Sequence, residues 1–190
     1  MNSGMRINLS KSNQVWDFRT KVRRSIWNLT QAMLFRPTPK RRGNRFRIFL
    51  LRCFGAKIHG TPLIHQTCRI LLPWELEVGE FSAIGNDVEI YNYARVRIGT
   101  MTMISQYSYL CTGSHDYEHP HMPLTWAPID IGSECWIASG VFVGPGTEIG
   151  NGTVVGACSV VTKSMPEWMV CVGNPCRPLK PRVIIPDARK

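Results

Sequence analysis

From Ile131 onward an aliphatic residue returns at every sixth position: Ile131, Ile137, Val143, Ile149, Val155 and Val161. The residue after each is Gly132, Ala138, Gly144, Gly150, Gly156 or Thr162, and the residue two before each later one (Cys135, Val141, Thr147, Thr153, Ser159) is compact. A period of six drifts around a 3.6-residue helix, and glycine at this density weakens both helix and ordinary strand. A three-sided coil accommodates it. If each six residues form one short strand and a bend, eighteen close a turn, the marked aliphatics point inward, and their equivalents stack about 4.8 Å apart, the spacing of strands in a sheet. Strand alternation puts the residue two earlier on the same inward side, where only a small side chain fits, and glycine is expected to ease the bend.

The same period runs upstream through Ile58, Ile64 and Ile70, slips by two residues to Val78, Ile84 and Ile90, and slips by two again to Ile98, Ile104 and Leu110. Sets of three give about five turns, none able to bury its faces without a neighbour. The expected organisation is an N-terminal arm (1–55), partly helical, a coil domain (56–166) and a C-terminal extension (167–190). Between Leu110 and Ile131 the stretch 113–128 contains no marker and reads as a loop thrown out from the prism. It holds three of the five histidines, His115, His119 and His121, and loops on rigid scaffolds commonly carry function.

Charge divides the chain. Residues 1–57 contain 14 of the 23 Lys and Arg and one acid, Asp17, for a net +13; residues 58–190 are −3. An aromatic-laced basic segment can solvate a helix face, meet an anionic membrane surface or meet nucleic acid, and no nucleic-acid motif accompanies this one. With 44% hydrophobic residues among 190, the chain has material for one core. No run approaches a bilayer span, and the first residues lack the apolar centre of a secretory signal, so a cytoplasmic location is expected, with peripheral contact at the inner membrane surface as an added expectation. The seven cysteines contain no CxxC and are odd in number, which points to reduced thiols rather than a disulfide framework.

Four stretches carry a resemblance: Thr112-Gly113-Ser114-His115-Asp116-Tyr117, Ile131-Gly132 through Trp136-Ile137-Ala138, Val155-Gly156-Ala157-Cys158-Ser159-Val160-Val161-Thr162-Lys163, and Val172-Gly173-Asn174-Pro175-Cys176-Arg177. Together they resemble the hexapeptide-repeat O-acetyltransferases of sugars and exopolysaccharide building blocks, the colanic-acid type among them. The resemblance implies an all-β fold, a left-handed parallel β-helix, a homotrimer, and acetyl-CoA lying between neighbouring prisms with no metal required. It implies that His115, of the T-x-x-H element, is the general base in direct transfer to a hydroxyl of a sugar or polysaccharide precursor. It further implies that Ser139, Ala157, Thr162, Lys163 and Arg177 contact the cofactor, with a backbone N–H near Ser139 steadying the oxyanion. Asn86 and Asn92 lie in the coil where the family contacts its acceptor, and Asp116 joins them as a substrate-binding candidate. Asp116 or Glu118 is a candidate to orient the imidazole, as is a backbone carbonyl. Two rivals remain at this stage: a non-catalytic glycan-binding scaffold, and a metal site on His115, His119 and His121 of the kind that gamma-carbonic anhydrases build.

Overall fold

The computed structural model describes residues 6–11 and 16–186. Strands of two or three residues wind through three parallel sheets, so the marked aliphatics form three internal ladders. Ile58, Val78, Ile98, Ile131 and Ile149 stack in one. Ile64, Ile84, Ile104, Ile137, Val155 and Cys171 stack in the second. Ile70, Ile90, Leu110, Val143 and Val161 stack in the third. All are buried, and each such side chain removed from water contributes about 1.5–3 kcal/mol. There are five full turns and a partial sixth, because Met165 bridges to Ile149 and the strand Met169–Gly173 pairs with Val154–Val155 before turning back through Cys176–Pro181.

The compact residues two positions earlier are buried as their spacing requires, and their hydroxyls tie one turn to the next. Ser82 Oγ donates to the Gly99 carbonyl at 2.6 Å, Thr102 Oγ1 to that of Gly132 at 2.7 Å, and Ser108 Oγ to that of Ala138 at 3.0 Å. Glycine plays a different part from the one its position suggested. The left-handed corner conformation falls mostly on larger residues, including Phe81, Met101, Tyr107 and Glu134. The glycines after the aliphatics instead let adjacent turns approach: a Cβ on Gly99 would lie 2.5 Å from the Gly132 carbonyl carbon.

Outward residues make three unlike faces. One carries Lys57, Glu77, Arg97, Asp130 and Glu148 in register and is the charged face. The next carries Leu63, Ala83, Met103, Trp136, Val154 and Val170, an unbroken apolar ladder. The third carries Arg69, Glu89, Tyr109, Phe142 and Val160, aromatic in its middle.

The first turn has no turn beneath it, and two helices cover it. Helix α1 (Phe18–Thr30) is capped by the Asp17 carboxylate, which accepts the Thr20 N–H at 3.0 Å, and runs into a π turn, Gln31–Phe35. Helix α2 (Asn44–Cys53) follows. Each side of the bottom turn meets a side chain: Arg52 donates to the Ile58 carbonyl, Arg47 Nε to that of Ile64, and Trp27 Nε1 to that of Ile70. Arg47 is fully buried and has no carboxylate partner among the described residues, its guanidinium spread over the carbonyls of Ile64, Pro39 and Lys40 and the Thr38 hydroxyl. The basic arm is therefore partly internal. Replacing Arg47 with Met orphans those acceptors, and a loss of about 2–4 kcal/mol in urea unfolding is expected.

Candidate active site

The period slips by two residues after Ile70 and after Ile90 and by far more after Leu110, and all three insertions fall at the edge between the aromatic and charged faces. The last is no irregular loop. Gly113–His115 pairs antiparallel with Leu124–Trp126, making a ribbon, or flap, with His115 opposite Leu124. Its root is fixed by buried Thr112, whose Oγ1 accepts the Ala94 N–H at 3.1 Å and donates to the Tyr91 carbonyl at 3.3 Å. Its tip is held by the N-terminal segment: the Asn8 N–H donates to the Pro120 carbonyl at 2.8 Å, and His121 Nδ1 lies 2.7 Å from the Asn8 carbonyl.

His115 is exposed, and its Nδ1 lies 2.7 Å from the Met122 carbonyl oxygen. A carbonyl can only accept, so Nδ1 carries the proton and the neutral ring leaves its lone pair on Nε2. The orienting group is thus a backbone carbonyl. Asp116 does not perform that role: its Oδ1 accepts the Glu118 N–H at 3.1 Å, shaping the turn beside the imidazole.

On the edge between the apolar and aromatic faces, here termed the seam edge, Asn86, Gln106, Ser139 and Ala157 occupy the same corner position in successive turns; each of the first three accepts a backbone N–H from the turn above. Among the described residues the N–H groups of Ser139 and Ala157 find no acceptor, so both remain available to an incoming oxygen. Arg177 lies on the return strand of the hairpin that docks there, opposite Val172, and the Gly173 N–H reaches Ser159 Oγ at 3.0 Å. Beneath Ser139 lies a hollow of about 560 Å³ whose walls include Asn86, Gln106, Ser105 and His65 and whose rim is Lys40 and Arg41. His65 Nδ1 is engaged by Thr67, and burial, with help from Lys40 and Arg47, holds its imidazole below the ordinary value. Sequence reading assigned His65, Lys40, Arg41 and Gln106 no role; only the register between turns and the path of the helical arm bring them together.

Two of the anticipated cofactor residues stand elsewhere. Thr162 and Lys163 lie at the flap's edge, two turns beyond it, exposed to solvent. One six-residue side separates that edge from the seam edge, on the order of 15–20 Å, so no single chain sets His115 against Ser139 on the prism's surface. Asn92 requires correction. It is fully buried, and its side-chain amide accepts from the Leu72 N–H at 3.0 Å and donates to the Leu72 carbonyl at 2.7 Å, which holds the first inserted turn in place and keeps the amide out of an acceptor's reach.

Residues 128–163 match the family described as bacterial transferase hexapeptide (six repeats). Over 162 residues the chain is 45% identical to a protein of Escherichia coli that carries the name colanic acid biosynthesis acetyltransferase WcaF, covering 85% of this chain and 88% of that one. The chain belongs to the hexapeptide-repeat acetyltransferases. Among solved structures, the maltose O-acetyltransferase of Clostridium difficile 630 is 29% identical, with a TM-score of 0.76 across 88% of this chain and 90% of that one. A hexapeptide-repeat acetyltransferase of Vibrio cholerae, solved with acetyl coenzyme A, superposes with a TM-score of 0.79 at 22% identity, over 88% of this chain and 91% of its own. The fold is accordingly the left-handed parallel β-helix of these enzymes. The metal alternative has no geometry behind it: among the described residues no three His, Cys, Asp or Glu side chains come close enough to share an ion, and His119 Nδ1 accepts the His121 N–H. For this hexapeptide-repeat acetyltransferase, Asn92→Ala is expected to lower stability by about 1–3 kcal/mol in chemical denaturation while leaving the KM for a sugar acceptor unchanged.

Proposed function

We propose that the chain moves an acetyl group from acetyl-CoA directly to a hydroxyl of a sugar or polysaccharide precursor, with His115 as general base. The observation that carries this is the hydrogen bond between His115 and the Met122 carbonyl. With Nδ1–H committed there, Nε2 takes the proton of the acceptor hydroxyl as its oxygen bonds to the thioester carbon, and the Met122 carbonyl steadies the imidazolium that results. The tetrahedral oxyanion finds a donor in an unpaired N–H such as that of Ser139. Collapse breaks the C–S bond, and the CoA thiolate receives the proton from Nε2, leaving an acetyl ester and the free thiol.

The distance between flap and seam edge supports a site shared by two chains, and the unequal faces support a trimer. On the apolar ladder Leu63, Met103 and Trp136 are exposed in one chain alone and Ala83, Val154 and Val170 half-buried, whereas the charged face needs no cover. Three prisms that turn their aromatic faces toward a common axis bring the flap edge of one to the seam edge of the next, where the flap reaches over the neighbour's apolar face. In this arrangement acetyl-CoA lies along Ser139, Ala157 and Arg177 of one chain, Lys163 of the other chain supplies a cation and Thr162 a hydroxyl for its phosphates, and the acceptor enters the hollow at Asn86. The acetylation of an exopolysaccharide precursor, rather than of a free sugar, is favoured by the likeness to the WcaF protein.

His115→Ala is expected to reduce acetyl transfer by roughly 10²–10⁴ while melting temperature and CoA affinity are retained; undiminished turnover removes the imidazole from the chemistry. The path of the cofactor has its own test. Cys53 and Cys158 are the exposed thiols, and Cys158 sits on the seam edge beside Ala157. Acetyl-CoA is expected to slow iodoacetamide labelling of Cys158, followed by mass spectrometry, and to leave Cys53 unaffected.

A further inference from the structure

Helix α1 is turned inside out relative to an ordinary surface helix. One side, bearing Trp27, packs on the prism, with Arg23 donating to the Phe54 carbonyl and lying over the Trp74 ring. The opposite side is a stripe of Phe18, Val22, Ile26 and Leu29, which at 3.6 residues per turn fall within about 80° of one another. Phe18 is 79% exposed, Ile26 54% and Leu29 65%. The π turn continues the character with Met33 at 66% and Leu34 at 50%, and α2 exposes Phe46 and Phe49. Arg19 and Lys21 stand beside the stripe, and Arg36, Arg41, Arg42 and Arg45 are exposed on the segment that follows.

A soluble helix places its apolar side inward; this one has used a single indole for that purpose and kept its row of large apolar side chains facing out. Apolar residues in a helical row with cations around them are what lies in the interfacial layer of a bilayer, the row among the acyl chains and the cations among headgroups. Charge selects between occupants. A second copy of the arm would bring another +13 against the first, whereas an anionic lipid surface complements it. No helix among the described residues is long and apolar enough to cross a membrane, so the contact is with one leaflet.

We infer that the outward face of α1 and its π turn is a docking surface for an anionic lipid bilayer. This goes beyond the proposed reaction and does not depend on it. Deleting the arm cannot test it, because Trp27, Arg47 and Arg52 close the first turn of the prism. The test is cosedimentation of the full chain with vesicles of phosphatidylglycerol and phosphatidylcholine, against phosphatidylcholine alone, for the wild type and the double variant Ile26→Glu/Leu29→Glu. Both substituted side chains are exposed, so circular dichroism and melting should be unchanged. Expected are binding to the anionic vesicles only, weakening with salt, and at least a tenfold loss of affinity in the variant, whose oligomeric mass and transfer to a soluble acceptor are unaltered. Absence of wild-type binding, equal binding by the variant, or a change in the variant's oligomeric mass overturns the inference, the last by assigning the stripe to a second copy of the chain.

Discussion

Everything in this molecule depends on how closely successive turns approach one another. A spacing of about 4.8 Å is imposed by the backbone hydrogen bonds between parallel strands, and at the corners it leaves no room for a Cβ at positions such as Gly99 and Gly132. The same spacing narrows the interior until most sides of a turn admit one branched aliphatic and a compact residue two positions before it; on the charged side, after the insertions, Leu76, Val96 and Ile129 take that second inward place. It also makes the hydroxyls of Ser82, Thr102 and Ser108 the right length to reach the next turn's carbonyls. A column built this way has no freedom inside it, so variation is confined to its outward side chains, its ends and its corners.

The corners are not equivalent. All three insertions sit at the edge between the aromatic and charged faces, and that is where the helical arm crosses, through Trp74 and Tyr93, on which Arg23 and Trp16 lie. The flap emerges from the same edge and is tied at its root by Thr112 and at its tip by Asn8. His115 thus stands on a short ribbon fixed at both ends, with its tautomer set by a main-chain carbonyl. A backbone acceptor of this kind keeps its charge state at every pH, which a carboxylate in the same place would not.

How far the sequence revealed this can be judged residue by residue. The aliphatics from Ile58 to Val161 were legible because each repeats one environment at a fixed interval, and periodicity registers repetition. Glycine was misread because two different corner positions favour it, one for close approach and one for left-handed backbone, and at the second this chain uses Phe81, Met101, Tyr107 and Glu134. Asn92 was misread because an amide next to an inserted turn looks the same in a string whether it faces a ligand or the main chain of Leu72. The hollow below Ser139 was invisible, since Lys40, His65, Asn86 and Gln106 meet through the registration of turns about twenty residues apart and through an arm outside the repeat.

That arm shows why net charge alone says little about a segment. Its +13 resembles a single electrostatic block in the sequence, yet the structure divides it three ways. Arg47 and Arg52 are spent on carbonyls at the open end of the prism, where a neutral apolar cap would leave those acceptors unpaired. Lys40 and Arg41, in the connection between helices, form the rim of the hollow beneath the seam edge. Arg19 and Lys21 with the outer arginines accompany the exposed apolar row of α1, while Arg23 and Arg24 lie over the Trp74 and Trp16 rings. Because the same two helices supply all three groups, the closure of the column, the rim of the hollow and the outward face are held in one rigid relation. An arm seated on a bilayer would therefore fix the orientation of the hollow relative to that surface through packed side chains rather than through a flexible tether.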